Sequence, residues 1–377
     1  MKEKPIVVLV DVFFLHLAQT GIKTYIDSLI RQIENYQGTK YRFIVYPSPR
    51  KISSGNFFKG KTARWKNWLF QFRYFFHKLI VLPGLSYRYQ TDLVFCPDIL
   101  APLWSRGRRI AVIHDAFFWE SPEHYHPLWR KIYLFFVKGS IQRGTRVLTV
   151  SNYAKSKIQP FLKTPFPIKA IPTGLDVGIR KKPDSQNSPL DCPYFLHVGV
   201  MEKRKNLAVL VQAFALFSEQ CDEEYKLVLV GQRGPRRTLD AFDEVVGEIR
   251  RLGLQKQVIL PGYLSDEDLE RYYHFATAYV FPSKNEGFGL PVLEAFSYGL
   301  PVIIGPQGAL MEVGGAAVLR SDSFGPDDFT KRMKQVAGDP DLRTKLIALG
   351  YKRLQAFRGE KFFLSLQAYF KEIVHGN

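Results

Sequence analysis

Pro282-Ser283-Lys284-Asn285-Glu286-Gly287-Phe288-Gly289-Leu290-Pro291-Val292-Leu293-Glu294-Ala295 follows the apolar run Tyr279–Phe281 and leads into a helix-forming segment. Pro291 falls in the first turn of that helix, where a missing N–H removes no hydrogen bond. Gly287 and Gly289 allow the backbone to approach a ligand closely. The N–H groups at the helix start, together with the positive end of its dipole, suit a phosphate or a sugar oxygen. Glu286 precedes the helix and Glu294 lies about one turn inside it, so both carboxylates can face one ligand from different depths. Two glutamates at this spacing alone would equally fit a capped, buried helix; the fourteen-residue context is what distinguishes them.

The strand, loop and helix order extends outward in both directions. Apolar runs at 6–10, 41–46, 92–95, 109–113, 146–150 and 168–171 read as strands, with helices at 24–33, 127–141 and 152–161 among the connections. Residues 176–193, DVGIRKKPDSQNSPLDCP, contain three prolines and few large apolar residues, which is linker composition. The rhythm then restarts, with strands at 194–198, 226–230, 258–260, 279–281, 302–304 and 317–319 and helices at 207–218 and 238–252. Residues 341–374 are helical with a break near Arg358-Gly359. Continuous apolar strands alternating with helices give parallel sheets covered on both faces. The expected class is α/β: two doubly wound domains, 1–180 and 190–357, followed by a C-terminal helix at 358–377. A chain of 377 residues exceeds what one core spans. Ligands bind such sheets at the C-terminal ends of the strands.

Apolar residues make up 46% of the chain and charged residues 23%, which excludes wholesale disorder. Cys96, Cys192 and Cys221 form no close pair, so a disulfide framework and a Cys-rich zinc site are excluded and a reducing compartment is favoured. No apolar run approaches the ~18 residues of a spanning helix. The N-terminus, Lys2-Glu3-Lys4-Pro5 and a short apolar run broken by Asp11, lacks a signal-cleavage pattern. These features predict a cytoplasmic protein.

The net charge of +18 is unevenly spread: residues 1–190 hold 30 Lys and Arg against 11 Asp and Glu, and residues 191–377 hold 23 against 24. No acidic residue occurs between Glu34 and Asp92. Within that stretch, 62–82 reads as an amphipathic helix in which Trp65, Trp68, Leu69, Phe72, Phe75, Phe76 and Leu79 recur at three- and four-residue spacing. Lys61, Arg64, Lys66, Arg73 and Lys78 occupy or flank the other positions. Basic residues with Trp and Phe suit a helix lying in an anionic membrane interface, here through residues 61–82. A helix packed on its own sheet with a solvated basic face would need the same aromatics. Nucleic acid is not an expected partner, because no recognisable binding module accompanies the helix.

The stretch around Glu286 resembles the retaining glycosyltransferases of family four, glycosyl transferases group 1, whose mark is two glutamates with seven residues between them in a run very like EGFGLPVLEA. The resemblance implies the GT-B fold, in which two Rossmann-like domains face a central cleft and the C-terminal helix returns to the first domain. In that family the first glutamate and the amides after it contact the donor sugar and diphosphate, and the second glutamate binds the ribose. This assigns donor binding to Glu286, Gly287, Phe288, Gly289 and Leu290, and to Glu294. Similar segments run from about residue 6 to 320. His197-Val198-Gly199-Val200-Met201-Glu202-Lys203-Arg204-Lys205-Asn206 is similar to the family's strand and Arg-Lys-Asn loop, so Arg204 and Lys205 take the donor phosphates. A positive pair suits a diphosphate that gains charge as it leaves. Many relatives have an arginine where this chain has Val200, which moves the burden to Arg204. Val112-Ile113-His114-Asp115-Ala116 resembles the family's Ile-His-Asp run. It implies that His114 hydrogen-bonds at the reacting centre and that Asp115 orients the loop or meets the acceptor. Thr20-Gly21-Ile22-Lys23-Thr24-Tyr25 is similar to the family's glycine loop and puts Gly21 and Lys23 on the acceptor side, although Lys23-Thr24 replaces the usual Gly-Arg. Met311-Glu312-Val313 departs from the usual Pro-Glu-Val.

The implied function is transfer of a sugar from a nucleotide diphosphate sugar to a glycan or lipid-linked acceptor with retention, in cell-surface polysaccharide or glycoconjugate synthesis. GDP-mannose is the first candidate donor. Glu286 and His114 are the catalytic candidates, with no protein nucleophile, no cofactor and no metal. Asp266-Glu267-Asp268 has the letters of a metal-holding Asp-x-Asp, but it follows Ser265 at a helix start, where the four residues read as an N-cap with acidic residues favoured by the dipole. The chain would act at the inner face of the plasma membrane. The alternatives are a related nucleotide-sugar epimerase or glycan phosphorylase, or a non-catalytic membrane-binding scaffold.

Overall fold

Ile6–Asp11 (β1) is five apolar residues and a carboxylate, buried along its whole length, so it needs a strand on each edge and cover on each face. A computed structural model of the protein describes residues 4–16, 21–49, 52, 64–176, 178–182, 187–234 and 238–376. In it β1 pairs in parallel with Tyr41–Tyr46 (β2) on one edge and Leu93–Cys96 (β3) on the other. Arg108–Val112 (β4), Arg146–Thr149 (β5) and Lys169–Ala170 (β6) complete a parallel six-stranded sheet of order β2-β1-β3-β4-β5-β6. The order reverses between β1 and β3. Helices Gly21–Glu34 (α1), Arg64–Phe76 (α2), Leu82–Arg88 (α3), Pro127–Gln142 (α4) and Asn152–Ile158 (α5) connect the strands, and His77–Val81 forms a π-helical stretch between α2 and α3.

A second parallel sheet has the order β12-β11-β10-β7-β8-β9. Its strands are Tyr194–Val198 (β7), Lys226–Val230 (β8), Val258–Gly262 (β9), Ala278–Phe281 (β10), Val302–Ile304 (β11) and Val318–Arg320 (β12). Here the order reverses between β7 and β10. Its helices are Leu207–Ser218 (α6), Phe242–Arg251 (α7), Asp266–Phe275 (α8), Leu290–Ser297 (α9), Gly308–Gly314 (α10), Pro326–Gly338 (α11) and Pro340–Leu354 (α12). Phe195, Phe214, Phe217 and Phe329 centre its core. The chain forms two compact units, Val177–Ala356 and Met1–Asp176 with Phe357–Asn377. The last helix, Gly359–His375 (α13), packs on α1 within the first unit: Phe362 meets Tyr25 at 5.0 Å, and the Tyr41 hydroxyl donates to the Gln367 carbonyl at 2.6 Å.

Two expected helices differ. The one placed at 238–252 starts at Phe242, because the Asp240 carboxylate accepts from the N–H groups of Gly234 (2.9 Å) and Phe242 (3.2 Å) and holds the preceding residues in a turn. The helix placed at 62–82 continues through the π-helical stretch to Arg88. Its buried face is Phe70, Tyr74, His77 and Lys78, whereas Trp68, Leu69, Phe72, Phe76 and Ile80 are exposed. Lys78, read as part of the polar face, is 0% exposed, because it forms an ion pair inside the unit. Lys61 and residues 62–63, the side chains of residues 64–67, and Thr20 lie outside the described residues.

Candidate active site

Open parallel sheets bind ligands where the strand order reverses, beyond the C-terminal ends of the strands. In the second unit that point lies between β7 and β10, which lead respectively to the Arg204-Lys205 loop and to Pro282–Gly289. Gly289 has φ +117°, and a Cβ there would come within 2.7 Å of Leu310 Cδ2, so only glycine fits this entrance to α9. The two loops are tied together. Lys284 N–H donates to the Arg204 carbonyl at 2.8 Å, and Ser283 Oγ lies 3.1 Å from the same oxygen.

At their junction Glu286 Oε1 accepts from Arg204 Nη1 (2.7 Å), Lys205 Nζ (2.6 Å) and Ser283 Oγ (2.8 Å). Burial alone would raise the Glu286 carboxyl, but Arg204 and Lys205 outweigh it and hold the group at about 2. Burial lowers the Lys205 ammonium, and Glu286 only partly offsets it. Arg204 is fixed further by Glu202 Oε2 (2.7 Å) and the Asn285 carbonyl (3.0 Å), while Lys205 lies over the Phe281 ring at 4.4 Å. Gln307 Nε2 donates to the Glu286 carbonyl at 2.9 Å, orienting the turn. Glu294 sits deeper, on α9, and burial raises its carboxyl against the pull of Arg180 and Lys205. The site therefore joins a fixed cationic pair, an ionised carboxylate and a helix start, which together can receive a diphosphate and a polyol.

In the first unit His114 follows β4. Its Nε2 donates to the Pro97 carbonyl at 3.0 Å, and Tyr25 of α1 meets its ring edge-on at 5.0 Å. Burial lowers its imidazole, so the ring is neutral with Nδ1 as the acceptor nitrogen. Asp115 Oδ1 accepts from Phe117 N–H at 3.0 Å and starts the turn that follows. Gly21 is the first residue of α1, and Lys23, exposed on the same helix, pairs with Asp27 at 2.5 Å.

The family profile described as "Glycosyl transferases group 1" matches residues 178–353. The O-antigen chain mannosyltransferase B of Escherichia coli is 32% identical over 267 residues, which is 67% of this chain and 67% of that protein. The chain belongs to the glycosyl transferases group 1. A serotype-specific mannosyltransferase, WbdA of the same species, is 32% identical over 128 residues, 31% of this glycosyltransferase and 15% of that one. Among solved structures, sucrose-phosphate synthase from Thermosynechococcus elongatus superposes with a TM-score of 0.72 at 19% identity, over 99% of this chain and 100% of that one. Anabaena HepE, solved with UDP and glucose, gives 0.70 at 16% identity over 97% and 100%. Both share the GT-B fold with this glycosyltransferase.

Of the residues that the sequence singles out, the structure brings Arg204, Lys205 and Glu286 into direct contact at the start of the helix opened by Gly287–Leu290. It sets His114 beside α1, which carries Gly21 and Lys23. Sequence reasoning gives no role to Ser283, Glu202 or Gln307, all of which fix Glu286 or its partners. Ser283 lies inside the motif, but no local signal marks Gln307. Ser265 caps α8 by accepting from Asp268 N–H at 3.1 Å, and its hydroxyl donates to Asp268 Oδ2 at 2.8 Å.

Proposed function

We propose that this glycosyltransferase moves a sugar, with retention, from a nucleoside diphosphate donor to a glycan or lipid-linked acceptor in cell-surface polysaccharide synthesis. The observation that carries this reading is the convergence of Arg204 and Lys205 on Glu286 at a helix start on the strand-order reversal. Arg204 and Lys205 take the charge that grows on the diphosphate as its bond to the anomeric carbon breaks. The amides of Gly287, Phe288, Gly289 and Leu290 hold diphosphate and sugar oxygens, Glu286 orients the sugar, and Glu294 accepts from the ribose. His114 accepts a hydroxyl hydrogen bond through Nδ1. The acceptor oxygen attacks from the face the diphosphate leaves, and the leaving phosphate oxygen takes its proton, so no protein nucleophile is required. GDP-mannose is the first donor, a choice supported by the relatives named as mannosyltransferases. The reaction is read as metal-independent, with the cationic pair in the place of a divalent ion. The basic first half and the exposed aromatic face of α2 support docking on an anionic membrane surface at the cytoplasmic side.

Glu286→Gln and Lys205→Met test the reading. Each should lower sugar transfer by about 10²- to 10³-fold in a folded protein. Undiminished transfer would overturn it, and turnover that needs phosphate or no acceptor would identify a phosphorylase or an epimerase instead.

A further inference from the structure

Beneath the strand-order reversal of the first sheet lies an ionic cluster that the mechanism leaves without a task. Asp11 closes β1, Asp98 follows β3, and both are buried. Lys78, in the π-helical stretch, reaches between them with Nζ 2.6 Å from Asp11 Oδ2 and 2.5 Å from Asp98 Oδ1. Tyr74, one turn earlier, donates its hydroxyl to Asp98 Oδ2 at 2.6 Å. His77 Nε2 donates to Asp11 Oδ1 at 2.9 Å. Asp11, Cys96 and Asp98 are close enough to hold a metal ion, yet the cation between the two carboxylates is the Lys78 ammonium.

Stability is a poor reason for such a cluster. Removing charges from water costs several kcal/mol per ion, and well-packed apolar replacements are often as stable or more so. What the cluster holds is more informative. Asp98 is gripped by Lys78 and Tyr74 at its side chain and by Val112 N–H at its carbonyl (3.1 Å). The residue before it, Pro97, supplies the carbonyl that receives His114 Nε2–H.

We propose that Lys78 and Tyr74 are positioning residues for His114, acting through Asp98 and the Pro97 carbonyl. They fix the height of that carbonyl above the sheet, and with it the ring orientation and the Nε2–H tautomer that leaves Nδ1 as the acceptor. Neither touches substrate. The inference rests on His114 accepting a substrate hydroxyl through Nδ1, as proposed above.

The test uses full-length Tyr74→Phe and Lys78→Met, with His114→Ala alongside. Three quantities are read: nucleotide release from GDP-mannose, or from whichever UDP-, ADP- or dTDP-sugar the wild type turns over; the donor KM; and the imidazole ¹⁵N shifts of His114. Tyr74→Phe should lower kcat about 3- to 10-fold and Lys78→Met about 10- to 100-fold, as expected for a slightly displaced group. Donor KM should stay unchanged, and the His114 ¹⁵N pattern should move from one tautomer to a mixture. A purely structural role would leave that pattern in place. If Lys78→Met fails to fold with its two aspartates uncompensated, Tyr74→Phe carries the test, since it keeps the ring and the ion pairs. Wild-type kcat and tautomer in Tyr74→Phe, with His114→Ala inactive, would overturn the proposal alone. Full activity in His114→Ala would overturn the reading of the site, and the proposal with it.

Discussion

His197 shows how much a single buried ring can carry. It lies on β7 with no exposed surface, its Nδ1 donates to the Val280 carbonyl at 2.9 Å, and its Nε2 has no partner among the described residues. The rings of Tyr279 and Phe281 lie 6.0 and 5.8 Å away. Burial, aided by the Lys205 charge, lowers its imidazole from 6.5 to about 4. A depressed histidine favours the neutral form when folded, so its stabilisation is complete above pH 6.5 and is lost as pH falls from 6.5 to about 4. At ~1.4 kcal/mol per pH unit the loss amounts to roughly 3 kcal/mol. Melting temperature against pH should therefore fall more steeply over that window in the wild type than in His197→Phe, where the lowered imidazoles of His114, His16 and His274 still contribute a slope. Equal slopes in the two proteins would refute the assignment. From about pH 4.5 downward Glu286, held at about 2 against an ordinary 4.5, removes further stability in both proteins. The motif residues Arg204, Lys205 and Glu286 are legible in the sequence because each loop states its own chemistry. The environment of His197 is not, because Val280 and Tyr279 reach it only through the pairing of β7 with β10.

At the scale of the element, α2 is the instructive case. That a helix forms here is legible, but its buried side is not, since large apolar residues occupy more than one face and periodicity cannot choose between them. The choice is made by Phe70 and Tyr74 packing on Phe13, at 5.7 and 6.3 Å, and by Lys78 meeting Asp11 and Asp98 through the π-helical stretch. Trp68, Phe72, Phe76 and Ile80 are left outside at four-residue spacing, with Phe72 68% exposed. Trp129 of α4 packs on Trp68 at 4.8 Å, and Leu128 and Phe135 of the same helix are also exposed. This exposed aromatic face, in a stretch without acidic residues, is what the proposed docking on a bilayer would bury. Phe72→Ser with Phe76→Ser should weaken binding to phosphatidylglycerol-containing vesicles by about 10²- to 10⁴-fold, given ~1.5–3 kcal/mol per buried phenyl, and leave the melting temperature nearly unchanged. Vesicle binding equal to the wild type would remove the membrane from the account.

At the scale of the whole molecule, the β–α rhythm made two parallel sheets legible, but not the strand orders, which follow from long-range pairing. The return of α13 to the first unit is equally non-local, and rests on pairs such as Tyr41 with Gln367. The orders matter because they place the Arg204-Lys205 loop and Glu286 at one reversal point, and that placement bears on the metal question. A divalent ion on a diphosphate neutralises charge and orients oxygens. On the proposed reading Arg204 and Lys205 meet the diphosphate instead, Arg204 with a planar guanidinium, and both are held in place by Glu286 and, for Arg204, Glu202. The acidic triplet after Ser265 forms the first turn of α8, where its charges suit the helix dipole. Sugar transfer in millimolar EDTA should on that reading stay within about twofold of the untreated rate, and added Mg²⁺ or Mn²⁺ should not restore Lys205→Met, because the two carboxylates there, Glu202 and Glu286, are both engaged by Arg204. A rate that collapses in EDTA and returns with Mn²⁺ would mean that a metal shares the diphosphate with Arg204 and Lys205.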